Sequence, residues 1–274
     1  MMPRPATRRV WAIVPAAGRG TRFAGATTDI SAPKQYAPLL GATVLEFSLR
    51  ALLAEPRVHA VVVALAPGDA HWPRLAPRLD SPKLRTTLGG ATRQDSVLNG
   101  LEFLAPQAAP DDWILVHDAA RPCFSSGELH SLLDALDSTG DHAGAVLAAP
   151  IVDTVKRDLG GRVATVDRQG LWRALTPQVF AFAQLRHALQ EASLAGVAVT
   201  DEAQAIERMG LTPVFVQGSP FNMKITHDAD LGLAAKILKM TEEMPMRVGQ
   251  GFDVHAFGEG DHVRSEERRV GKEC

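Results

Sequence analysis

The chain has 274 residues, of which 46% are hydrophobic and 22% are charged, and its formal net charge is −2. This composition is typical of a globular protein that is long enough to bury a sizeable core. It lacks the basic excess of a general nucleic-acid binder, and no apolar run approaches the roughly 18–20 residues of a membrane span. Cys123 and Cys274 are the only cysteines, so we expect no disulfide framework and a cytoplasmic setting.

Strand-like and helix-like segments alternate through the first half of the chain. Residues 1–9 are basic and precede a short apolar run, which predicts a frayed start and a first strand rather than a signal peptide. Thr43 and Glu46 have the spacing of a capping box at the start of the first helix. The predicted strands span 10–14, 58–65, 84–88, 113–116 and 143–148, and the predicted helices span 43–53, 95–104 and 126–136. This β-α-β pattern predicts an α/β fold with a mostly parallel sheet and helices on both faces.

The pattern breaks between residues 150 and 176. Segments 151–156 and 162–166 alternate like two strands around Gly160 and Gly161, which predicts a hairpin arm. Because a lone two-stranded hairpin is marginally stable, the arm needs a surface to pack against, and a second subunit is the obvious candidate. Further helices are predicted over 182–195, 201–209 and 228–240, with a strand over 213–217.

A loop of small residues follows the first predicted strand, with the sequence PAAGRGTRF from Pro15 to Phe23. Small residues let backbone N–H groups close on phosphate oxygens, and Arg22 and Lys34 supply positive charge nearby. Glycines at this place could serve turn geometry alone, and Phe23 replaces the third glycine of a dinucleotide-binding fingerprint. A Walker A sequence is also absent. The two cations favour a polyphosphate ligand such as a nucleoside triphosphate.

A second motif, HDAARP, follows the strand predicted over 113–116. Ligands of open α/β sheets bind at the carboxyl ends of the strands, so this position favours a functional role. Asp118 can orient a hydroxyl or help to hold Mg²⁺, and Arg121 can clamp a phosphate. The alternative is an internal Asp–Arg pair that braces the loop. We expect His117 to be structural rather than catalytic.

Other polar residues carry weaker signals when they are taken one at a time. Asp95 and Ser96, in the motif GGATRQDS, fit plain helix capping, although Ser96 could also donate to a base or a phosphate. Thr200 and Thr226 fit helix N-caps, and Lys224 fits a solvated lysine. Each becomes a candidate site residue only when all the motifs are considered together.

The motifs PAAGRGTRF, PKQY, GGATRQDSV, VHDAARP, VDR, LWRALTPQ, TDEA and NMKIT occur in this order. Together they resemble the 2-C-methyl-D-erythritol 4-phosphate cytidylyltransferases of non-mevalonate isoprenoid biosynthesis, over about residues 8–242. The resemblance implies a Rossmann-like nucleotidyltransferase domain over 1–242, with a β-arm over 150–176 that builds a homodimer. It also implies a reaction that joins the phosphate of methylerythritol phosphate to the α-phosphate of CTP and releases pyrophosphate, with Mg²⁺.

The resemblance also assigns roles to residues of this chain. It implies that Arg22, Lys34 and Lys224 are the catalytic cations, and that Mg²⁺ is held mainly by phosphates, with Asp118 as a possible ligand. The implied CTP-binding residues are Pro15, Ala16, Ala17, Gly18, Gly20, Gly90, Asp95 and Ser96. The implied substrate-binding residues are Asp118, Arg121, Arg168, Thr176 and Thr200, with Arg168 reaching in from the partner's arm. A phosphate monoester is already mostly dianionic at pH 7, so cations and alignment suffice and no general base is needed.

Two features depart from the family pattern. The stretch 23–33 is a few residues longer than we expect, so Lys34 reaches the site only if the extra residues loop outward. Residues 249–257 resemble the first strand of 2-C-methyl-D-erythritol 2,4-cyclodiphosphate synthase, in which Asp253 and His255 would be metal ligands. The third ligand is missing, so we expect no synthase activity and no competent metal site. We interpret 243–274 as an incomplete second-domain fragment followed by a disordered tail.

Three alternatives were weighed against this interpretation. A cytidylyltransferase for another polyol phosphate, such as ribitol 5-phosphate, would share the loop and differ in the polyol pocket. A non-catalytic nucleotide-binding protein would keep the fold, but Arg22, Lys34 and Lys224 argue against it. A dinucleotide-dependent dehydrogenase is disfavoured by Phe23 and by the lack of a suitable acidic residue after the second strand.

Overall fold

The computed structural model describes residues 8–18, 32–138 and 143–243. The strands are β1 (Val10–Pro15), β2 (Pro38–Leu39), β3 (Ala42–Thr43), β4 (Val58–Leu65), β5 (Leu84–Leu88), β6 (Trp113–Val116), β7 (Gly144–Pro150), β8 (Val155–Asp158), β9 (Val163–Val166), β10 (Trp172–Ala181) and β11 (Val214–Gln217). The helices are α1 (Val44–Ala54), α2 (Trp72–Leu79), α3 (Arg93–Leu104), α4 (Ser126–Ser138), α5 (Phe182–Leu194), α6 (Glu202–Arg208) and α7 (Ala229–Glu243), and a 3-10 helix spans Lys34–Tyr36.

The central sheet has the strand order β11-β7-β10-β6-β1-β4-β5 within these ranges. Strand β10 runs antiparallel to both β6 and β7, and the other neighbouring pairs are parallel. Side chains of β1 alternate between two cores: Ala12 and Val14 pack with α1 and α4, and Trp11 and Ile13 pack with α3 and α5. The predicted α/β class, with a mostly parallel sheet and helices on both faces, is confirmed.

The boundaries of several elements agree with the sequence pattern. The strands predicted over 58–65, 84–88 and 113–116 coincide with β4, β5 and β6. The capping box of α1 is also confirmed, since Thr43 Oγ1 accepts from the Glu46 N–H and Glu46 Oε2 accepts from the Thr43 N–H. These signals are local, because a strand buried on both faces is apolar at every position and a cap is defined within four residues.

Helix α3 begins at Arg93, two residues before the predicted start. Thr92 is the N-cap: its Oγ1 accepts from the Asp95 N–H at 3.1 Å, and Asp95 Oδ2 accepts from the Thr92 N–H at 3.1 Å. Asp95 therefore does serve in capping, as the third residue of a capping box. Ser96 lies one residue further inside the helix.

Helix α2 was not predicted, because Pro73 and Pro77 are usually signals of a loop. Pro73 lies in the first helical turn, where a backbone N–H has no partner within the helix and its absence costs little. Asp69 Oδ1 accepts from the N–H groups of His71 and Trp72, at 2.9 and 3.0 Å, and thereby caps the helix start. Pro77, by contrast, lies inside the helix and removes one backbone donor from it.

Strand β10 was also missed, and it lies in the middle of the sheet. A proline is unfavourable in a central strand because it cannot donate to the ladder. Here the pairing with β7 shifts register between Ala174 and Gln178, and Pro177 lies within that irregular stretch. The strand therefore continues past the proline, and Val179 and Phe180 are fully buried.

The predicted arm is present as a hairpin. Strands β8 and β9 pair antiparallel around the turn at Gly160 and Gly161, both of which have positive φ. Most arm residues are exposed, and Val152 and Val163 are 72% and 71% exposed. The arm therefore presents apolar side chains that its own two strands do not cover.

The last helices differ in detail from the prediction. Thr200 was expected to be an N-cap and this is wrong, since Asp201 Oδ1 accepts from the Gln204 N–H and caps α6. The predicted domain boundary at residue 242 falls in the last turn of α7, and the predicted fragment and tail from 244 onward lie outside the described residues. In the described part of the chain, no helix combines the length and apolar character that crossing a bilayer requires.

Gly144 gives a test of the sheet geometry. Its φ is +152°, and a Cβ at this position would lie 2.1 Å from the backbone oxygen of Val179 on β10. We expect Gly144→Ala to lower the free energy of unfolding by about 2 kcal/mol or more, because a backbone atom cannot move aside cheaply. Urea titration followed by circular dichroism measures this change.

The matched control for this change is Gly232→Ala in α7, where a Cβ would meet nothing within 4 Å. We expect the control to leave the free energy of unfolding unchanged or to raise it by up to about 1 kcal/mol. Equal stability of Gly144→Ala and the wild-type protein would contradict the pairing of β7 with β10.

Candidate active site

The carboxyl ends of the parallel strands bring the sequence motifs to one edge of the sheet. Strand β1 pairs with both β4 and β6, so the segments that follow these strands are neighbours. Ala16 donates its N–H to Ala64 O at 2.8 Å, which joins the small-residue loop to the end of β4. The loop therefore lies at the position where open α/β sheets bind ligands.

Gln35 holds the described part of the small-residue loop in shape. Its buried side-chain amide donates to Ala16 O at 2.7 Å and to Gly18 O at 3.0 Å. Among the described residues, a Cβ built on Gly18 would meet no atom within 4 Å. Sequence analysis assigned no role to Gln35, although it follows Lys34 in the PKQY motif. The predicted site residues Gly20 and Arg22 lie outside the described residues.

A second turn, at Gly89 and Gly90, packs against this loop. A Cβ on Gly89 would lie 2.5 Å from Ala17 Cβ, so only glycine permits this close approach. Ser96 Oγ accepts from the Gly90 N–H at 3.1 Å and donates to Thr92 O at 2.9 Å. Ser96 thus shapes the turn from within the protein, and its contact with CTP stays a prediction.

Asp118 is the centre of the site. Its Oδ1 accepts from Arg93 Nε at 2.9 Å, and its Oδ2 lies 2.8 Å from Lys224 Nζ and 3.4 Å from Arg121 Nε. Burial would raise the pKa of Asp118, but the positive charges of Arg93, Lys224 and Arg121 outweigh it and hold the pKa well below its usual range. The carboxylate is therefore charged at neutral pH and gathers three cations at the sheet edge.

Arg93 and Glu202 were missed as site residues. Arg93 donates from Nη1 and Nη2 to the two carboxylate oxygens of Glu202, at 2.6 and 3.0 Å, while its Nε contacts Asp118. Burial would lower the pKa of Arg93, but the two carboxylates outweigh it and raise the pKa. Both residues belong to motifs that sequence analysis quoted, GGATRQDSV and TDEA. Nothing local in either motif shows that the two residues meet.

Thr176 and His117 support Asp118 from inside the protein. Thr176 Oγ1 accepts from the Asp118 N–H at 3.0 Å and donates to His117 Nδ1 at 3.1 Å. His117 Nε2 lies 3.3 Å from the carbonyl oxygen of Arg121, which can only accept, so Nε2 carries the proton. Burial lowers the pKa of His117 to about 4. The imidazole is thus neutral and structural, as expected, and the predicted contact of Thr176 with substrate stays a prediction.

The segment that follows β11 brings Lys34 and Lys224 to the same place. Arg121 Nη1 donates to Asn222 O at 2.7 Å, and Lys34 Nζ donates to Ile225 O at 2.9 Å. The Ile225 N–H donates to Ala120 O at 2.8 Å, which ties the segment to the loop after β6. The structure therefore brings together three of the predicted cationic residues, Lys34, Arg121 and Lys224.

Two predicted substrate-binding residues lie outside this cluster in the single chain. Thr200 is exposed and donates from Oγ1 to Gln204 Oε1 at 3.2 Å. Arg168 is exposed beyond β9 and donates to Val152 O. Arg173 on β10, which was not predicted, lies near the cluster: burial lowers the pKa of Arg121, and the charges of Arg93 and Arg173 lower it further.

The described side chains do not fit a magnesium ion held by the protein. No group of three or more His, Cys, Asp or Glu side chains with the arrangement of a metal site occurs within residues 8–18, 32–138 and 143–243. Both oxygens of Asp118 already contact cations, which would repel a divalent ion. Asp118 is therefore unsuited to bind a metal ion in this arrangement.

The covered parallel sheet, the small-residue loop and the cations at one sheet edge define an enzyme of the nucleotidyltransferase class. A family model, 2-C-methyl-D-erythritol 4-phosphate cytidylyltransferase, matches residues 10–240. The chain belongs to this family.

Relatives and solved structures agree with the family match. The 2-C-methyl-D-erythritol 4-phosphate cytidylyltransferase of Xanthomonas campestris pv. campestris is 53% identical over 227 residues, which cover 82% of this chain and 83% of the relative. The crystal structure of a 4-diphosphocytidyl-2C-methyl-D-erythritol synthase aligns with a TM-score of 0.71 and 35% identity, over 85% of this chain and 100% of the other. The Francisella tularensis cytidylyltransferase structure aligns with a TM-score of 0.69 and 33% identity, over 84% of this chain and 99% of the other.

The buried neutral imidazole of His117 predicts a dependence of stability on acid. Its pKa is lowered from 6.5 to about 4 in the folded protein, so below pH 6.5 the unfolded chain binds a proton that the folded chain does not. This group alone should reduce the free energy of unfolding by about 2 kcal/mol between pH 7 and pH 5. Urea titrations at the two pH values measure the reduction.

Two substitutions isolate the contribution of His117 to this pH dependence. His117→Gln should lose that part of the pH dependence, whereas His187→Gln, at an exposed position on α5, should keep it. If the free energy of unfolding fell by the same amount between pH 7 and pH 5 in His117→Gln and in the wild-type protein, the assignment of a neutral buried imidazole would be wrong.

Proposed function

We propose that the protein transfers CMP from CTP to 2-C-methyl-D-erythritol 4-phosphate, giving 4-diphosphocytidyl-2-C-methyl-D-erythritol and pyrophosphate. The observation that carries the proposal is the gathering of Arg93, Arg121 and Lys224 around Asp118 beside the small-residue loop. Family membership supplies the substrate pair, and the charge of the cluster suits two phosphorylated substrates that meet at one point.

The reaction needs charge neutralisation and alignment more than proton transfer. An oxygen of the substrate phosphate attacks the α-phosphorus of CTP, and the bond from that phosphorus to the bridging oxygen of pyrophosphate breaks. The nucleophile is mostly dianionic at pH 7, because the second pKa of a phosphate monoester is about 6. Lys34 and Lys224, together with Arg22, neutralise the charge that builds up on the transferred group.

The small-residue loop and the turn after β5 are the proposed site of CTP. Backbone N–H groups of Ala17 and Gly18 would donate to phosphate oxygens at the carboxyl edge, together with Gly20 from the same motif. The N–H of Ala16 already donates to Ala64 O, so Ala16 would contact CTP without it. Gln35 fixes the carbonyl oxygens of Ala16 and Gly18, which supports one preset shape of the loop. The proposed further contacts with CTP are made by Pro15, Gly90, Asp95 and Ser96. Mg²⁺ would be held by the triphosphate and enter with CTP.

Methylerythritol phosphate is placed on the other side of Asp118. Its phosphate would lie between Arg121 and Lys224, and its hydroxyl groups would be oriented by Asp118. Lys224 is the cation best suited to move onto a phosphate, because its side chain is 42% exposed while it contacts Asp118. Thr176, Thr200 and Arg168 are the further proposed contacts.

We also propose that the protein is a homodimer assembled through the arm. The hairpin carries the exposed apolar side chains of Val152, Leu159 and Val163, and the half-exposed rings of Trp172 and Phe215 contact each other in a tilted arrangement, with centroids 5.7 Å apart. A two-stranded hairpin gains independent stability only from packing against further structure. In such a dimer Arg168, which lies outside the cluster of its own chain, would reach the site of the partner subunit.

The remaining proposals concern the setting of the enzyme. A cytoplasmic location follows from the use of CTP and a sugar phosphate as substrates. The resemblance of residues 246–263 to 2-C-methyl-D-erythritol 2,4-cyclodiphosphate synthase stays a prediction, since the family model matches residues 10–240.

The reaction is tested by pyrophosphate release. We expect release with CTP and methylerythritol phosphate, and little with ATP, GTP or UTP, or with ribitol 5-phosphate in place of methylerythritol phosphate. Lys34→Ala should lower kcat by about 10²-fold, because it removes one cation from the transferred phosphoryl group. The control Lys239→Ala, on the exposed face of α7, should keep the wild-type rate.

One outcome would contradict the proposed reaction, and another would contradict only the role of Lys34. Folded wild-type protein that releases no pyrophosphate from CTP and methylerythritol phosphate would exclude the proposed reaction. A normal rate in Lys34→Ala would leave the reaction standing and remove Lys34 from its machinery.

The arm interface is tested by a charge on its apolar face. Val163→Lys should convert the dimer to monomers, because a lysine buried against the partner's arm would lose its hydration. Leu194→Lys is the control, since Leu194 is 83% exposed at the end of α5, away from the arm. Light scattering after gel filtration measures the mass of each variant. A dimeric Val163→Lys protein, or a monomeric wild-type protein, would count against assembly through the arm.

A further inference from the structure

Asp118 has one fixed and one movable charged neighbour. Lys224 contacts Oδ2 with a side chain that is 42% exposed, so solvent or a ligand can compete for its ammonium group. Arg93 contacts Oδ1 and is at the same time bound to Glu202, whose side chain is 1% exposed. The two oxygens of one carboxylate are therefore held in different ways.

The Glu202 carboxylate restricts Arg93 to one orientation. Two nearly parallel N–H···O bonds, of 2.6 and 3.0 Å, join the guanidinium to Glu202, and the third donor, Nε, then points at Asp118. A planar guanidinium with two donors fixed in this way cannot rotate without breaking both bonds. Glu202 is the first residue of α6, and Asp201 caps that helix, so the carboxylate is itself well anchored.

We propose that Glu202 is a positioning residue, which fixes Arg93 on Oδ1 of Asp118 and so keeps that carboxylate in place when Lys224 leaves Oδ2 for the phosphate of the substrate. This inference rests on the proposed function. Without the fixed Arg93, the departure of Lys224 would leave Arg121 as the remaining cation on a buried carboxylate, at the longest of the three distances, 3.4 Å. Asp118 would then turn away from the substrate hydroxyl groups.

A role in positioning can be separated from a role in charge. Three cations and two carboxylates give the cluster one net positive charge, and removal of Glu202 would raise it. If charge alone mattered, Glu202→Gln would bind an anionic substrate more tightly, and Glu202→Asp would behave like the wild-type protein. Positioning predicts the opposite for both variants, since neither amide nor shorter acid can hold the guanidinium in the same orientation.

The experiment compares Michaelis constants for the two substrates. In Glu202→Gln and Glu202→Asp we expect the KM for methylerythritol phosphate to rise about tenfold, because misplacement of a substrate-orienting group costs affinity for that substrate. The KM for CTP should change less than twofold. The rates are measured by pyrophosphate release and divided by the folded fraction of each preparation.

A surface ion pair supplies the matched control. Arg186 also binds Glu102 through two hydrogen bonds, from Nε and Nη2 at 2.9 and 2.8 Å, between α5 and α3 on the protein surface. Glu102→Gln should leave both Michaelis constants at wild-type values. If Glu202→Gln fails to fold, Glu202→Asp and Arg93→Lys carry the test, since each keeps the charges of the pair.

Three results would overturn the proposal. The first is a lower KM for methylerythritol phosphate in Glu202→Gln, and the second is unchanged Michaelis constants in Glu202→Asp. The third is a loss of rate in these variants that the smaller folded fraction explains completely. A wild-type protein inactive with both substrates would contradict the proposed function instead. In that case the positioning role is tested in substrate-free protein by nitrogen-15 NMR of the Arg93 Nε–H group. The signal is assigned by its absence from the spectrum of Arg93→Lys. That signal should be sharp in the wild-type protein and broadened in Glu202→Asp, and equal widths would refute positioning.

Discussion

A carboxylate buried at the sheet edge sets the requirements that the rest of the site meets. Asp118 is almost completely buried, and a charged group in that position is costly unless cations and hydrogen bonds surround it. Arg93, Arg121 and Lys224 supply the positive charge, and the Thr176 hydroxyl binds the backbone N–H of Asp118. Phosphoryl transfer requires cations at the site. Asp118 keeps them there, because its own buried charge must be neutralised.

The topology explains how such distant residues meet. Parallel strands β1, β4 and β6 end at the same edge and deliver the small-residue loop and Asp118. The antiparallel strand β10 runs beside β6 and brings Thr176 under Asp118. The starts of α3 and α6 then place Arg93 and Glu202 against each other. The site thus combines loops at one edge of the sheet with the starts of two helices, α3 and α6, which pack in the same core.

The sequence predicted those parts of the molecule whose signals are local. Strands β4 and β6 and the capping box of α1 follow from apolar runs or from four-residue spacing, and the motifs located Lys34, Asp118 and Lys224. Helix α2 and strand β10 were missed because both contain prolines, which normally end such elements. Pro73 lies in the first turn of α2 and Pro177 lies in the irregular stretch of β10, but Pro77 is inside the helix. The pair of Arg93 and Glu202 was missed for another reason: the two lie 109 residues apart, and only the fold brings them together.

The central claim is that Asp118 is charged and held by cations before any substrate binds. It is tested most directly by carbon-13 NMR of the Asp118 carboxyl group in ligand-free protein, assigned with Asp118→Asn. We expect no change in its chemical shift between pH 7 and pH 4, because the neighbouring cations hold the pKa of Asp118 well below its usual range. A titration centred near pH 4 or above, the ordinary range of an aspartate in water or in an apolar site, would contradict it.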